Sequence, residues 1–448
     1  MTDHNAVDLA PRPAPGAPPH AASPVRPGAP APGSAPETVT GLPAAVPVRH
    51  TAHPARTRLP RLTGRPALYL LASLIVALLA SSASPTPLYA VYQADWHFTP
   101  ITTTTVFAVY ALAVLGALLT LGKLSDHLGR RPVLLAAIAV QLVSLVVFAT
   151  ADGVPALIVA RVVQGLSTGA ALGAIGAGML DIDRERGTFA NAVSPGMGTG
   201  SGALVSAVVV RYLPAPTHTI YLVMLGVFAL QGLGVLLMRE TVTRKPGALA
   251  SLVPEIRLPR EVRAHVAAAV PALFAIWAMA GLYGALGPAL VHALTGSGEV
   301  VLGSLSLTVL TATAVAAVVA LRSAAAHSVL LTALVALIAG MALTLVAVDL
   351  HSAALFFAAT AVSGVGFGAG FQGGIRTVVP RVAAHQRSGM LSLLYTVSYL
   401  GFGLPAVIAG YLVVHGGGLI TTARAYSLAV IVLAVLALAA TLRSRRSA

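Results

Sequence analysis

The sequence predicts an all-α polytopic membrane protein with twelve transmembrane helices in two six-helix bundles. Composition, the spacing of apolar runs and the sorting of charge along the chain carry that prediction. Of 448 residues, 56% are hydrophobic and 9% charged, and mean hydropathy is +0.85, which excludes a soluble domain with a polar surface. Apolar runs bounded by turn and charge signals fall near 68–92, 101–121, 133–151, 155–180, 189–211, 219–238, 266–291, 300–321, 328–348, 354–375, 389–413 and 424–442. These lengths match the roughly 20 residues that a helix needs to cross the hydrocarbon core.

The net charge of +14 would suit a nucleic-acid binder, but its placement excludes that reading. With the N-terminus inside, the same-side links and tail hold Lys123, Arg130, Arg131, Arg184, Arg186, Arg239, Arg244, Lys245, Arg257, Arg260, Arg263, Arg322, Arg376, Arg381, Arg387, Arg443, Arg445 and Arg446. The opposite links hold only Arg211 and Arg424. This asymmetry predicts both termini in the cytoplasm and an even number of helices, because an odd count would invert the pattern partway along.

Taken in order, residues 1–62 are rich in Pro and Ala and hold few large apolar side chains, so a disordered cytoplasmic tail is expected. Within it, Pro11–Pro15 could form a polyproline ligand, with a solvated spacer the plainer reading. The first apolar run begins near Leu68, so no cleavable signal peptide is expected ahead of it. Residues 63–238 form the predicted N-terminal six-helix bundle and residues 266–448 the C-terminal one. Between them, residues 239–265 carry Pro246, Pro254 and Pro259 and read as a cytoplasmic linker. A weak internal repeat supports the division: aligning Arg186 with Arg387 also brings Gly200 to Gly401 and Gly202 to Gly403. Halves related in this way place a substrate site at their interface near mid-membrane.

The densest signal is the charged hairpin Gly122–Leu135 between the second and third apolar runs. Its pattern, Gly122-x-Leu124-x-Asp126-x-x-Gly129-Arg130-Arg131, resembles the loop between helices two and three of the major facilitator superfamily, with His127 where an Arg is usual. Gly122 permits close helix approach, and the Asp126 carboxylate suits the positive end of a neighbouring helix. The resemblance implies a conformational latch, with Asp126 at the start of helix eleven near Ser388 and Gly389, and Arg130 tied to Asp181 or Asp183. Topology alone explains the basic residues but not Asp126, since acidic residues contribute little to orientation.

Arg161 lies inside the fourth run, in Leu157–Ala170. An Arg in a transmembrane helix costs about 2.5–3.5 kcal/mol on insertion scales, so it should face a wet cavity or a partner. The alternative is a side chain snorkelling to headgroups. Gln164 shares its face at i+3. Leu-x-x-x-Arg-x-x-Gln-Gly resembles the helix-four motif of proton-coupled drug exporters in the superfamily, with Ser167 where Gly is frequent. The fifth run carries Pro195, Gly196, Gly198, Gly200 and Gly202, which predict a kinked helix with a thin face for a neighbour's backbone. Against the exporters' helix-five pattern, the register Ala192, Gly196, Met197, Gly200, Ser201 keeps two of five positions, which weighs against proton antiport.

Other features carry less. Gly368, Gly370 and Gly373 reproduce dinucleotide-loop spacing but lie inside an apolar run with no preceding strand, so helix packing explains them. There is no Cys, and the His residues lack ligand spacing, so neither a metal site nor any cofactor is proposed. Ser81, Ser84, Gln141, Asn191, Gln231, Trp277, Tyr283, Gln372, Tyr395 and Tyr399 could line a cavity, with Gln372, Tyr395 and Tyr399 favoured because their helices carry glycines that permit bending. No Asp or Glu sits in the middle of any run, which leaves Asp95 and Glu299 as peripheral proton-carrier candidates and Arg161 as a fixed cavity charge for an anionic or polar substrate.

The resemblance covers about residues 65–445 and implies alternating-access transport of a small organic molecule, most like the bacterial twelve-helix drug or metabolite exporters. Uptake of a metabolite, or a uniporter, fits the fold as well; a membrane receptor or enzyme is the remote alternative, because no catalytic cluster or sizeable extramembrane domain is visible. The expected partners are a small-molecule substrate, membrane lipid and, if transport is coupled, protons, in a monomer that binds no nucleic acid. Two Lys against twenty-six Arg, with abundant Ala, suggest a GC-rich bacterial genome and hence a bacterial cytoplasmic membrane.

Overall fold

The computed structural model describes residues 61–254, 263–378 and 387–446. Among them are twelve helices long and apolar enough to cross a membrane. These are α1 (Arg65–Trp96), α2 (Pro100–Leu121), α3 (Arg130–Ala149), α4 (Val154–Ile182), α5 (Arg184–Tyr212), α6 (Pro216–Leu237), α7 (Arg263–Thr295), α8 (Val300–Ala320), α9 (Ala326–Asp349), α10 (Ala353–Val378), α11 (Arg387–His415) and α12 (Gly418–Arg446). The chain is a multi-pass integral membrane protein. Its helix starts follow from local chemistry: Pro occupies the first turn of α1, α2, α4 and α6, where its missing N–H has no intrahelical partner to lose.

Two large packed clusters organise these helices. The first draws its buried apolar side chains from Ala67 to Met238, within α1 to α6 and the residue after α6. The second runs from Ala272 to Ala437 and takes in Ala83 of α1 and Ala203 of α5, so the halves share core at those two helices. Leu222, Leu230 and Leu436 are largely exposed on the periphery, as lipid-facing side chains must be.

Lipid is as apolar as leucine, so close backbone approach takes the place of water exclusion in holding the helices together. Glycines mark where this happens. On α4, Gly165, Gly169 and Gly173 form a one-face stripe against α2; a Cβ at Gly169 would lie 2.6 Å from the Val114 carbonyl oxygen. On α5, Gly198 and Gly202 meet α1 through Val76 and Ala80, whereas Gly196 and Gly200 turn to α8 at Val315 and Thr311. The Gly200 carbonyl also accepts a hydrogen bond from Thr308 Oγ1 at 3.2 Å. Gly368 faces α8 at Ala314, Gly370 faces α7 at Ile276 and Gly373 faces α9 at Leu330, so the dinucleotide-like spacing is a packing surface on α10.

The internal repeat needs a correction of register. Gly401 packs on Phe274 of α7, in its own half, and Gly403 on Ala111 and Ala108 of α2, across the halves. Their counterparts by contact are Gly198, which meets α1, and Gly200, which meets α8. Pairing Gly200 with Gly401 therefore matches opposite faces, and the equivalent positions lie two residues away. The N-terminal boundary also carries a contact. Leu62 donates from its N–H to the Leu237 carbonyl at 2.8 Å and accepts from Arg239 N at 3.1 Å, pinning the entry to α1 beside the exit of α6. The remainder of the expected tail, through residue 60, lies outside the described residues.

Candidate functional site

The site begins with a break in α1. Helical stretches Arg65–Ala83 and Pro85–Trp96 meet at Ser84, because Pro85 lacks the N–H that would bond the Ser81 carbonyl one turn back. In lipid a freed carbonyl must find another donor. Gln164 Nε2 of α4 supplies it, donating to Ser81 O at 3.1 Å, and Arg161 Nη1 donates to Ser82 O at 2.8 Å. Ser206 Oγ of α5 bonds the Ser84 carbonyl at 2.6 Å. The proline break and the polar residues of α4 are thus two halves of one construction.

Arg161 is 1% exposed, so it does not snorkel to headgroups. Its Nε and Nη2 donate to the Tyr89 hydroxyl at 3.1 and 2.7 Å, and Nη1 also donates to Gln164 Oε1 at 2.7 Å. The guanidinium carbon lies 5.2 Å from the Tyr110 ring centre, 5.7 Å from Phe148 and 5.8 Å from Tyr89, within cation–π range. Every one of these partners is neutral, and no carboxylate among the described residues reaches the guanidinium. Four of its five donors are used, leaving one at Nη2. The result is a buried, organised positive charge with no counterion among the described residues.

Arg161 lines a cavity of about 150 Å³ between the halves. The first half contributes Ser82, Thr86, Tyr110 and Thr199 beside Arg161, together with Pro195 and Gly196 of the α5 kink. The second half contributes Trp277, Phe367, Tyr399 and Phe402, with Thr311 on α8. The Trp277 ring is the hub of that wall, its centre 5.5 Å from Phe367 and Tyr399 and 5.6 Å from Phe371 and Phe402. Phe107 of α2 extends the wall across the halves, 4.7 Å from Phe402.

Of the sequence-predicted cavity residues, Arg161, Trp277 and Tyr399 line this space. Gln164 sits behind Arg161 as its acceptor. Gln372 and Tyr395 are not among the lining residues: Gln372 Oε1 is buried without a hydrogen-bond partner among the described residues, and Tyr395 contacts Phe371 at 6.0 Å. Asp95 is exposed at the end of α1, and Glu299 pairs with Arg211 at 3.2 Å, so both acids lie away from the cavity. Tyr89, Ser82, Phe107, Phe367 and Phe402 were missing from the sequence-based set. The Ser84–Pro87 alternation was the available signal for the first two, and aromatic spacing at Tyr395, Tyr399 and Phe402 for part of the wall.

The hairpin builds a second polar cluster. Arg130 Nη1 donates to Asp126 Oδ1 at 2.5 Å and to Ser125 Oγ at 2.7 Å, and its Nε donates to Asp181 Oδ2 at 3.1 Å. Asp183 instead caps α5, accepting from Arg186 N at 3.0 Å. Glu240, beyond α6 and absent from the sequence-based set, accepts from Arg130 N at 2.8 Å and Arg131 N at 3.0 Å, placing a carboxylate on the positive end of α3. The Arg131 guanidinium bonds the Leu236 carbonyl. Gly129, at φ 101°, occupies a backbone conformation that L side chains rarely adopt, and a Cβ there would meet Glu240. Asp126 is thus engaged inside its own hairpin; the Ser388 side chain, its partner by resemblance, lies outside the described residues.

A family model described as Major Facilitator Superfamily matches residues 69–325. No curated protein matches the sequence. Among solved structures, the nucleoside transporter NupG is similar at TM-score 0.60 and 15% identity, covering 83% of this chain and 98% of its own. A mutant form of the same transporter gives 0.64 and 14%, with 84% and 98% covered. The human organic anion transporter MFSD10 (TETRAN) gives 0.62 and 19%, with 84% and 99% covered.

Proposed function

Since the chain belongs to the major facilitator superfamily, we propose that it is a permease carrying a small organic anion across a bacterial cytoplasmic membrane by alternating access, both termini inside. The observation that supports this is Arg161: a buried cation, held by neutral acceptors, in the wall of the cavity between the halves. An anionic substrate would supply the missing counterion and take the remaining Nη2 donor. Rocking of the halves about the α2–α11 and α5–α8 contacts would expose the site to each side in turn, with the Asp126–Arg130–Asp181 cluster as the latch. One of the solved structures of like fold transports organic anions and another nucleosides, so the fold accommodates either charge class and the choice rests on Arg161.

Uptake or facilitated diffusion fits better than proton-driven export. A proton antiporter uses a carboxylate that changes protonation as the cavity opens and closes, and among the described residues none lines this cavity. The helix-four motif favours the export reading, which would have to route protons through Asp95 or Glu299.

The test is anion flux in proteoliposomes. Arg161→Ala should abolish it, and Arg161→Lys should retain part, since the charge survives but the planar fork to Tyr89 and Gln164 is lost. Normal flux in both variants would remove Arg161 from the site. Substrate-driven proton movement that disappears in the Asp95→Asn, Glu299→Gln double variant would restore the antiport reading.

A further inference from the structure

The two halves contribute unlike chemistry to the cavity. The first half brings the one charge, Arg161, with Ser82, Thr86, Thr199 and the Tyr110 and Phe107 rings; the second half brings four aromatic rings, with Thr311 its one polar aliphatic side chain in the lining. Aromatic residues make up only 5% of the chain, so Trp277 and the four rings that meet it represent a large share of the supply spent on one wall. Packing alone could use leucine there, as the lipid-facing surface does. Trp277 also carries a polar atom that packing does not explain: its Nε1 is buried and has no hydrogen-bond partner among the described residues. A buried N–H normally finds an acceptor, and this one belongs to a side chain that lines the cavity.

Building on the anion reading above, we propose that the cavity selects small aromatic carboxylates. The carboxylate sits against Arg161, the ring against the Trp277 wall, and an acceptor on the ring takes the Trp277 N–H. The volume sets the size: about 150 Å³ is below the range of drug-sized pockets and suits a single ring. Ring-on-ring contact distinguishes an aromatic from an aliphatic acid of like size and charge, because edge-to-face and offset packing add to simple area burial.

The chain's two tryptophans make the test direct. In a Trp96→Phe variant, Trp277 is the sole indole, and binding at the wall reads out as quenching of its fluorescence. Benzoate should quench saturably and bind about three- to tenfold more tightly than cyclohexanecarboxylate, with acetate weaker still. In proteoliposome competition, Trp277→Leu should erase the preference for benzoate over cyclohexanecarboxylate while acetate uptake persists. Isonicotinate, which differs from benzoate by a ring acceptor, should compete better than benzoate in the parent and equally in Trp277→Phe. Equal affinity for all three of benzoate, cyclohexanecarboxylate and acetate, with dependence on Arg161 intact, would overturn the aromatic subsite and leave the anion reading standing. Neutral benzamide binding as tightly as benzoate and indifferent to Arg161→Ala would overturn the carboxylate assignment instead. Failure of benzoate to quench saturably would overturn the proposal outright.

Discussion

Tyr89 shows how a membrane-buried cation is kept organised. Its single hydroxyl accepts from both Nε and Nη2 of Arg161, while the ring lies within cation–π distance of the same guanidinium. Removing the hydroxyl leaves two donors of a charged group unpaired in a buried site, where hydrogen bonds to charge are worth about 1.5–3 kcal/mol. Tyr89→Phe should therefore lower the thermal unfolding midpoint in detergent clearly, although the substitution removes one oxygen and little volume. An unchanged midpoint would mean that water replaces the hydroxyl and that the site is wetter than its geometry indicates. At this scale the sequence announced Arg161 and Gln164, because an Arg inside an apolar run is costly enough to need a reason. It could not announce Tyr89 or Glu240: each acts on a residue more than 70 positions away, and neither looks unusual in its own segment.

The element scale is set by where glycine replaces side chain. At Gly169, an added Cβ would stand 2.5 Å from Ala117 Cβ and 2.6 Å from the Val114 carbonyl oxygen, so α4 and α2 would have to part. At Gly226 of α6 and Gly116 of α2, nothing lies within 4 Å. Gly169→Ala should thus destabilise by an overpacking cost of about 1–3 kcal/mol, whereas Gly226→Ala should be neutral or stabilise by up to about 1 kcal/mol through helix propensity. Unfolding midpoints for the pair, with Gly116→Ala as a second control, check this; equal shifts at Gly169 and Gly226 would show that the α2–α4 contact is slack. The twelve spans were legible because hydropathy alone sets their length and number. The faces were harder. Gly198 and Gly200 look alike in sequence yet serve different neighbours, and this is why the repeat could be found but was read two residues out of register.

For the whole molecule, the two ends of the helix bundle are tied in different ways. At the hairpin end, Asp126, Arg130, Asp181 and Glu240 join elements of the first half to one another. At the other end, Arg211 of α5 and Glu299, which precedes α8, form a 3.2 Å ion pair that crosses between the halves. Two features give it leverage on the transport cycle: it would break when the halves separate at that end, and α5 and α8 also contact each other deeper in the bundle through Gly200 and Thr308. Both side chains are about half exposed, so the pair should be worth about 0.2–1 kcal/mol. That corresponds to a shift of about one and a half to fivefold between states open and closed at that end. Because the chain has no cysteine, a single Thr86→Cys in the cavity wall is an unambiguous reporter. Arg211→Gln or Glu299→Gln should speed its labelling by a membrane-impermeant thiol reagent added on the side of the pair, by about that factor. The exchanged variant, Arg211→Glu with Glu299→Arg, should slow it again, since the attraction is restored with reversed polarity. If the single variants label at the parent rate, the ion pair contributes nothing to the balance of states, and closure at that end rests on the close approach of Gly410 to Thr104 and the other packed contacts between α2 and α11.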